Sequence, residues 1–255
     1  MGDMFVDRVE KRLRSRGLWN PSLRDRVAEF ERLCVLQISD PALRDALVSF
    51  LVEETPLEFY LSPASESGRH HPSWQNEAGG ILLNTVECCI AIDRKIRMYP
   101  CLTDAQGDAK PDDRDVLYVA TILSDTFKVA DYGRPWSEWR HHERAAEAWE
   151  QFVLRRNIDS KWLANIKDAI FWHLGRFTPG RGAEVTDPRQ MPLHAFLAHE
   201  LDMDFSNQAL DHVFSRKGID SATQEDGPSK FVLQELTSTP ADKPAQPTGI
   251  GIAWY

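Results

Sequence analysis

Apolar residues recur along this chain at helical rather than strand spacing. Leu23, Val27, Phe30, Leu33 and Leu36 fall at three- and four-residue steps, which puts them on one stripe of an amphipathic helix. The punctuation agrees. Asn20-Pro21 offers a capping side chain before a proline at the first helical position and opens PSLRDRVAEFERLCVLQ. Ser39-Asp40-Pro41 repeats the device before ALRDALVSFLVEE. Further helices are expected over 79–98, 113–128, 137–156, 159–175 and 187–203, and period-two alternation is nearly absent, so the predicted fold class is all-α. Loops are expected at 61–78, 101–112, 129–136 and 178–186, where Ser, Gly and Pro gather. The organisation expected is a helical lead over 1–54, a helical domain over 55–216 and a tail over 217–255. The tail turns to Ser, Thr, Pro, Gln and Gly and reads as mostly irregular, with an apolar GIGIAWY end able to dock.

Composition narrows the function classes. The 255 residues carry 30 Lys+Arg against 39 Asp+Glu, a net charge of −9, which argues against a protein that coats nucleic acid non-specifically. Nothing approaches the run of about 18 apolar residues that a membrane span needs. The opening MGDMFVDRVEKRLRSRG is charged throughout, without the apolar centre of a signal peptide, so a cytoplasmic protein with no membrane partner is expected. Cys34, Cys88, Cys89 and Cys101 lack metal-type pairing, and the adjacent Cys88 and Cys89 read as buried, reduced thiols.

Three features could carry chemistry. Asp125 ends the otherwise apolar DVLYVATILSDTFKV, where a carboxylate needs a cation or hydrogen bonds. His141 and His142 open HHERAAEAWEQF, and His173 sits late in NIKDAIFWHLGRF. One Asp and several imidazoles on separate helices are a common way to build a metal site inside an α fold. Each also has a plainer reading: Asp125 as a helix-end partner of Lys128, His141-His142 as a solvated helix start, His173 as a hydrogen-bonded core residue. Trp136, Trp139, Trp149, Trp162 and Trp172 read as packing rather than as a base-stacking platform.

The order of these pieces resembles that of HD-domain phosphohydrolases. GGILLNT (79–85) looks like their GGLLxHT segment, ILSDTFKVADYG (122–133) like LLHDxGKxxxxG, and HHERAAEAW (141–149) like the HxxxGA helix start. FWHLGRF (171–177) resembles the later histidine helix, and LHAFLAHELDMDF (193–205) the closing helix with the last aspartate. SPASESGRHH (62–71) is similar to the PAS…HH run of HD-type 3′-to-5′ exoribonucleases and of relaxase domains in MOBH-class conjugative elements. The resemblance spans about residues 55–205. It implies an HD-domain-like helical bundle and a divalent ion (Mn, Mg, Fe, Zn or Ni) held by Asp125, His141 or its neighbour His142, and His173. It also implies a nucleotide or nucleic-acid end as substrate. Asp125 and Lys128 would be catalytic, and His70, His71, Lys128 and Arg176 would meet phosphate.

The chain departs from the family at three ligand positions. The first histidine falls on Asn84, the histidine of the His-Asp pair on Ser124, and the last aspartate on His199 or Glu200. By this carry-over the site of the first ion is dismantled, while the site of the second, through Asp125, His141 or His142, and His173, stays formally intact. Amide and hydroxyl oxygens are poor substitutes for imidazole toward a transition metal and suit Mg²⁺ or Mn²⁺ better. Three outcomes follow: a one-metal phosphohydrolase, a site rebuilt on Glu200 or His199, or an inactive HD-fold module without an ion. The inactive module would bind a nucleotide or a protein partner, as an accessory of a mobile element for example. An enzyme predicts that the Asp and His side chains converge on one point. The inactive module predicts that Asn84 and Ser124 hydrogen-bond to Asp125 and His173 and fill that point.

Overall fold

A computed structural model describes residues 5–65, 71–129, 140–158, 161–175 and 191–206. Among these residues the fold is all-α: α1 (Phe5–Ser15), α2 (Ser22–Leu33), α3 (Pro41–Glu53), α4 (Glu58–Leu61), α5 (Gly80–Ile96), α6 (Pro111–Ser124), α7 (His141–Arg156), α8 (Leu163–Trp172) and α9 (Leu193–Ser206). The only β-type pairing among them is an isolated bridge between Thr103 and Ala109. His70, Arg176 and the whole 217–255 segment lie outside the described residues.

Local chemistry explains most boundaries. Asp40 caps α3 as its spacing predicts, its side chain accepting from the backbone N–H of Ala42 (2.9 Å) and Leu43 (3.0 Å), with Pro41 in the first turn. Asn20 acts in a similar way from a position further outside α2, accepting from Ser22 N at 3.1 Å. The helix expected over 113–128 instead spans 111–124 and stops at Asp125, which has φ −102° and ψ 6°. Lys128 therefore does not share a helix face with Asp125. It reaches back across a turn closed by Lys128 N–H to Asp125 O, 3.1 Å.

One apolar core runs from Phe5 on α1 to Phe205 on α9, so the 1–54 lead packs into the same interior as the rest. Phe50 of α3 meets Trp149 and Phe152 of α7 edge-on, each at 5.4 Å. Phe30 joins the lead to Phe59 of α4 at 5.8 Å. Buried polar groups pin the same elements. Asp115, on α6, accepts from the backbone N–H of Ser39 and Asp40, both at 2.8 Å. Arg114 beside it holds Asp93 of α5 (2.7 Å) and the Gln37 carbonyl. Three of the cysteines, Cys34, Cys88 and Cys89, are buried, Cys101 is exposed, and all four are free thiols. No helix among the described residues is long and apolar enough to cross a membrane.

The N-terminus of α5 is set by two glycines. Gly79 has φ +78°, a left-handed conformation that side chains resist. Gly80 has no room for a Cβ, which would fall 1.8 Å from the Gln75 carbonyl oxygen. The 73–79 turn thus lies directly on the start of α5 and carries Trp74 and Gln75 toward its second turn. Gly80→Ala must push that turn away, with an expected loss of about 1–3 kcal/mol by analogy with overpacked cores. Urea unfolding of the two proteins checks this.

Candidate metal centre

Three helix ends deliver the site. Asp125 terminates α6, His141 begins α7, and His173 closes α8 as its C-terminal capping residue. All three side chains are buried. One ligand atom from each lies within 4.8 Å of the other two. His141 Nε2 is 3.2 Å from His173 Nε2 and 3.3 Å from Asp125 Oδ1, and His173 Nε2 is 3.9 Å from the same oxygen. An ion about 2.0–2.2 Å from two tetrahedral ligands sets them roughly 3.3–3.6 Å apart. Two of the three edges lie near that range and the third is a few tenths of an ångström longer.

Two further observations bear on whether these residues suit an ion. Asp125 Oδ1 is buried and accepts no hydrogen bond among the described residues. Its partner Oδ2 is occupied, accepting from Lys128 Nζ at 3.0 Å. An oxygen such as Oδ1, facing two imidazole nitrogens, is costly in a dry interior unless a cation, or a proton on His141 Nε2 at 3.3 Å, meets it. The tautomer of His173 is also set. Its Nδ1 lies 2.7 Å from the Ile170 carbonyl, an acceptor, so Nδ1 carries the proton and Nε2 keeps its lone pair toward the centre. The donor set of one carboxylate and two imidazoles fits a divalent transition metal.

The electrostatics follow the geometry. Burial opposes ionisation of Asp125, but the Lys128 ammonium and the His141 imidazole outweigh it and hold the carboxyl well below the usual carboxylate range. Burial, with His141 close by, pushes His173 down to about 3, so it is neutral near pH 7. Burial also works against the charge on Lys128, yet Asp125 and then Asp202 raise it above the ordinary lysine value.

A second layer holds the first. His199 of α9 lies with Nδ1 2.7 Å from the His173 carbonyl. Gly175, at φ +56°, leaves space for that ring, since a Cβ there would come within 2.5 Å of it. His71 Nε2 lies 3.2 Å from Lys128 Nζ. Ser124 donates to the Thr121 carbonyl of its own helix at 2.9 Å. Asn84 is buried with its Oδ1 unpartnered among the described residues. The Ser124 hydroxyl is therefore donated to its own helix rather than to Asp125 or His173.

The remaining predicted residues stand elsewhere. Glu200, considered as a rebuilt ligand, pairs with Lys95 at 3.0 Å, and Lys95 also holds Asp204 at 2.8 Å. One helical step turns Glu200 away from the face that His199 presents to His173. His142 is fully buried against Phe171, with ring centroids 5.5 Å apart, and is not one of the three converging groups. Its ring nitrogens have no hydrogen-bond partner among the described residues.

Asp202 is the residue that reasoning from sequence missed. It follows His199 by three positions and so shares its face of α9. Burial and the Asp125 carboxylate push its carboxyl up to about 7, against the opposing pull of Lys128 and His141, which places it within electrostatic reach of the centre. The spacing of His199 and Asp202 was the available signal.

Compared with known families, with curated proteins and with solved structures, the chain finds no match.

The buried His142 generates a pH prediction. Burial, and then His141, push it down to about 4 from an ordinary value near 6.5. The folded state therefore binds fewer protons than the unfolded chain between those values. Its stability contribution is present above about pH 6.5 and is lost as pH falls toward 4. His142→Phe keeps the apolar packing and removes the titration. Melting temperature against pH should fall less steeply between pH 6.5 and 4 in this variant, while stability at pH 7.5 stays equal or rises.

Proposed function

We propose that this chain is a metal-dependent phosphoester hydrolase acting on a nucleotide or nucleic-acid end, with one divalent ion held by Asp125, His141 and His173. The observation that carries the reading is the convergence of Asp125 Oδ1, His141 Nε2 and His173 Nε2, with Oδ1 left without a hydrogen bond. The resemblance to HD-domain phosphohydrolases supports the reaction class. An ion bound there supplies Lewis acidity toward a phosphoryl oxygen and makes a water acidic enough to attack near neutral pH.

The chain's own residues have separable tasks. His173 offers a lone pair fixed by its bond to Ile170, and His141 offers a second nitrogen from the neighbouring helix. Asp125 divides its carboxylate, with Oδ2 on Lys128 and Oδ1 toward the imidazoles. Lys128 places a cation beside the centre, where it offsets the charge of a phosphate.

The rival reading, an inactive HD-fold module that binds a nucleotide or a protein, draws on the replacement of two family histidines by Asn84 and Ser124. Metal content separates the two. Elemental analysis of the purified chain should find about one equivalent of Mn, Fe, Zn or Ni, lost in both Asp125→Ala and His173→Ala. Hydrolysis of a generic phosphodiester should fall in the same variants by more than the roughly 10–100-fold typical of outer-shell changes. A chain that holds no metal, and whose melting temperature does not rise with added Mn²⁺ or Mg²⁺, would be a binding module instead.

A further inference from the structure

Behind Lys128 lies a chain of buried hydrogen bonds that the proposed chemistry does not use. Trp74 Nε1–H donates to Glu87 Oε1 at 3.0 Å, and Gln75 Nε2–H donates to Glu87 Oε2 at 2.6 Å. Gln75 Oε1 is 2.8 Å from His71 Nδ1, and His71 Nε2 is 3.2 Å from Lys128 Nζ. Lys128 then donates to Asp125 Oδ2 at 3.0 Å. His71, Gln75 and Glu87 are each less than a tenth exposed.

Donor and acceptor rules give this chain one direction. Indole N–H can only donate, so Glu87 must accept from Trp74. Glu87 as a carboxylate also accepts from the Gln75 amide nitrogen, and this turns the Gln75 oxygen toward His71. An amide oxygen facing His71 Nδ1 requires a proton on that nitrogen. Nε2 is then a bare lone pair, the only form that can face a lysine ammonium. A carboxylate on α5 thus sets the tautomer of an imidazole it does not touch.

We infer that Glu87, Gln75 and His71 are positioning residues for Lys128: the carboxylate of Glu87 polarises the chain so that His71 anchors the ammonium on Asp125 Oδ2, keeping Oδ1 clear. This deepens the reading of a metal centre at Asp125, since a lysine free to move could cover Oδ1 and compete with the ion. It also gives His71 a task behind the site rather than on substrate. Burial pushes the Glu87 carboxyl up to about 7, while Trp74 and Gln75, each donating to one of its oxygens, pull it back toward the ionised acceptor.

The test is Glu87→Gln, which conserves shape and reverses polarity. The introduced amide must keep its oxygen for Trp74 and present its NH₂ to Gln75. Gln75 then turns its own NH₂ to His71, and His71 must carry its proton on Nε2, facing the ammonium. Nitrogen-15 shifts of His71 in the full chain should report an Nδ1–H tautomer in the wild type and Nε2–H in Glu87→Gln. This readout needs no metal, so it stands or falls separately from the metal-centre reading, which fails by itself if the wild type binds no Co²⁺. Co²⁺ affinity, followed by absorption, should drop about 10-fold in Glu87→Gln. It should not drop when Glu87→Gln is added to Lys128→Met, because the effect travels only through the ammonium. A merely structural Glu87 would weaken Co²⁺ equally in both backgrounds. That result, or a His71 that keeps Nδ1–H in Glu87→Gln, overturns the inference. If Glu87→Gln does not fold, Gln75→Met cuts the same chain, and the same dependence on Lys128 decides.

Discussion

A carboxylate buried at the end of an apolar helix is the constraint on which the site depends. Asp125 sits among side chains that cannot hydrate it, and an unpaired charge there would cost several kcal/mol. The surroundings answer with cations and imidazoles from other regions of the chain: Lys128 across the following turn, His141 from the start of α7 and His173 from the end of α8. Removing any one partner leaves the others with an uncompensated neighbour, so the group behaves as a unit. The α6–α7–α8 arrangement is the frame that brings these partners within reach.

The two oxygens of that carboxylate are treated differently, and the difference has structural causes. Oδ2 is satisfied by a lysine that His71 steadies, and Oδ1 is left to face two nitrogens. His173 is steadied at both ends, its ring by the Ile170 carbonyl and its backbone carbonyl by His199. These supports come from the loop before α5, from α8 itself and from α9. A site assembled this way turns Oδ1 toward both imidazole nitrogens while Oδ2 is held by Lys128.

Much of this was legible in residue order. The three- and four-residue apolar steps and the Asp40-Pro41 cap foretell α2 and α3, and Asp125, His141 and His173 stand out because polar groups in apolar surroundings need a reason. Glu200 was a candidate ligand by alignment alone, since the pattern of α9 does not say which of its polar residues turns inward. The direction of α9 relative to α5 decides that Glu200 meets Lys95. The resemblance to HD-type nucleases made His71 a substrate contact. Its partners Gln75 and Glu87 lie 4 and 16 positions away, and only the close approach of the 73–79 turn to Gly80 brings them together.

Residue order was enough for the all-α class, for reading Cys88 and Cys89 as buried thiols and for singling out Asp125, His173 and the His141-His142 pair, since periodicity, capping and the cost of buried charge act locally or residue by residue. Tertiary structure alone decided that α6 stops at Asp125 and that Lys128 reaches it across a turn. It also decided that His141 rather than His142 faces the carboxylate, and that Glu200 turns to Lys95 instead. The physical reason is that neighbouring positions on a helix point about 100° apart. Which of two adjacent residues reaches a site depends on how the helices are rotated against one another, and that rotation is set by the packing of the whole core.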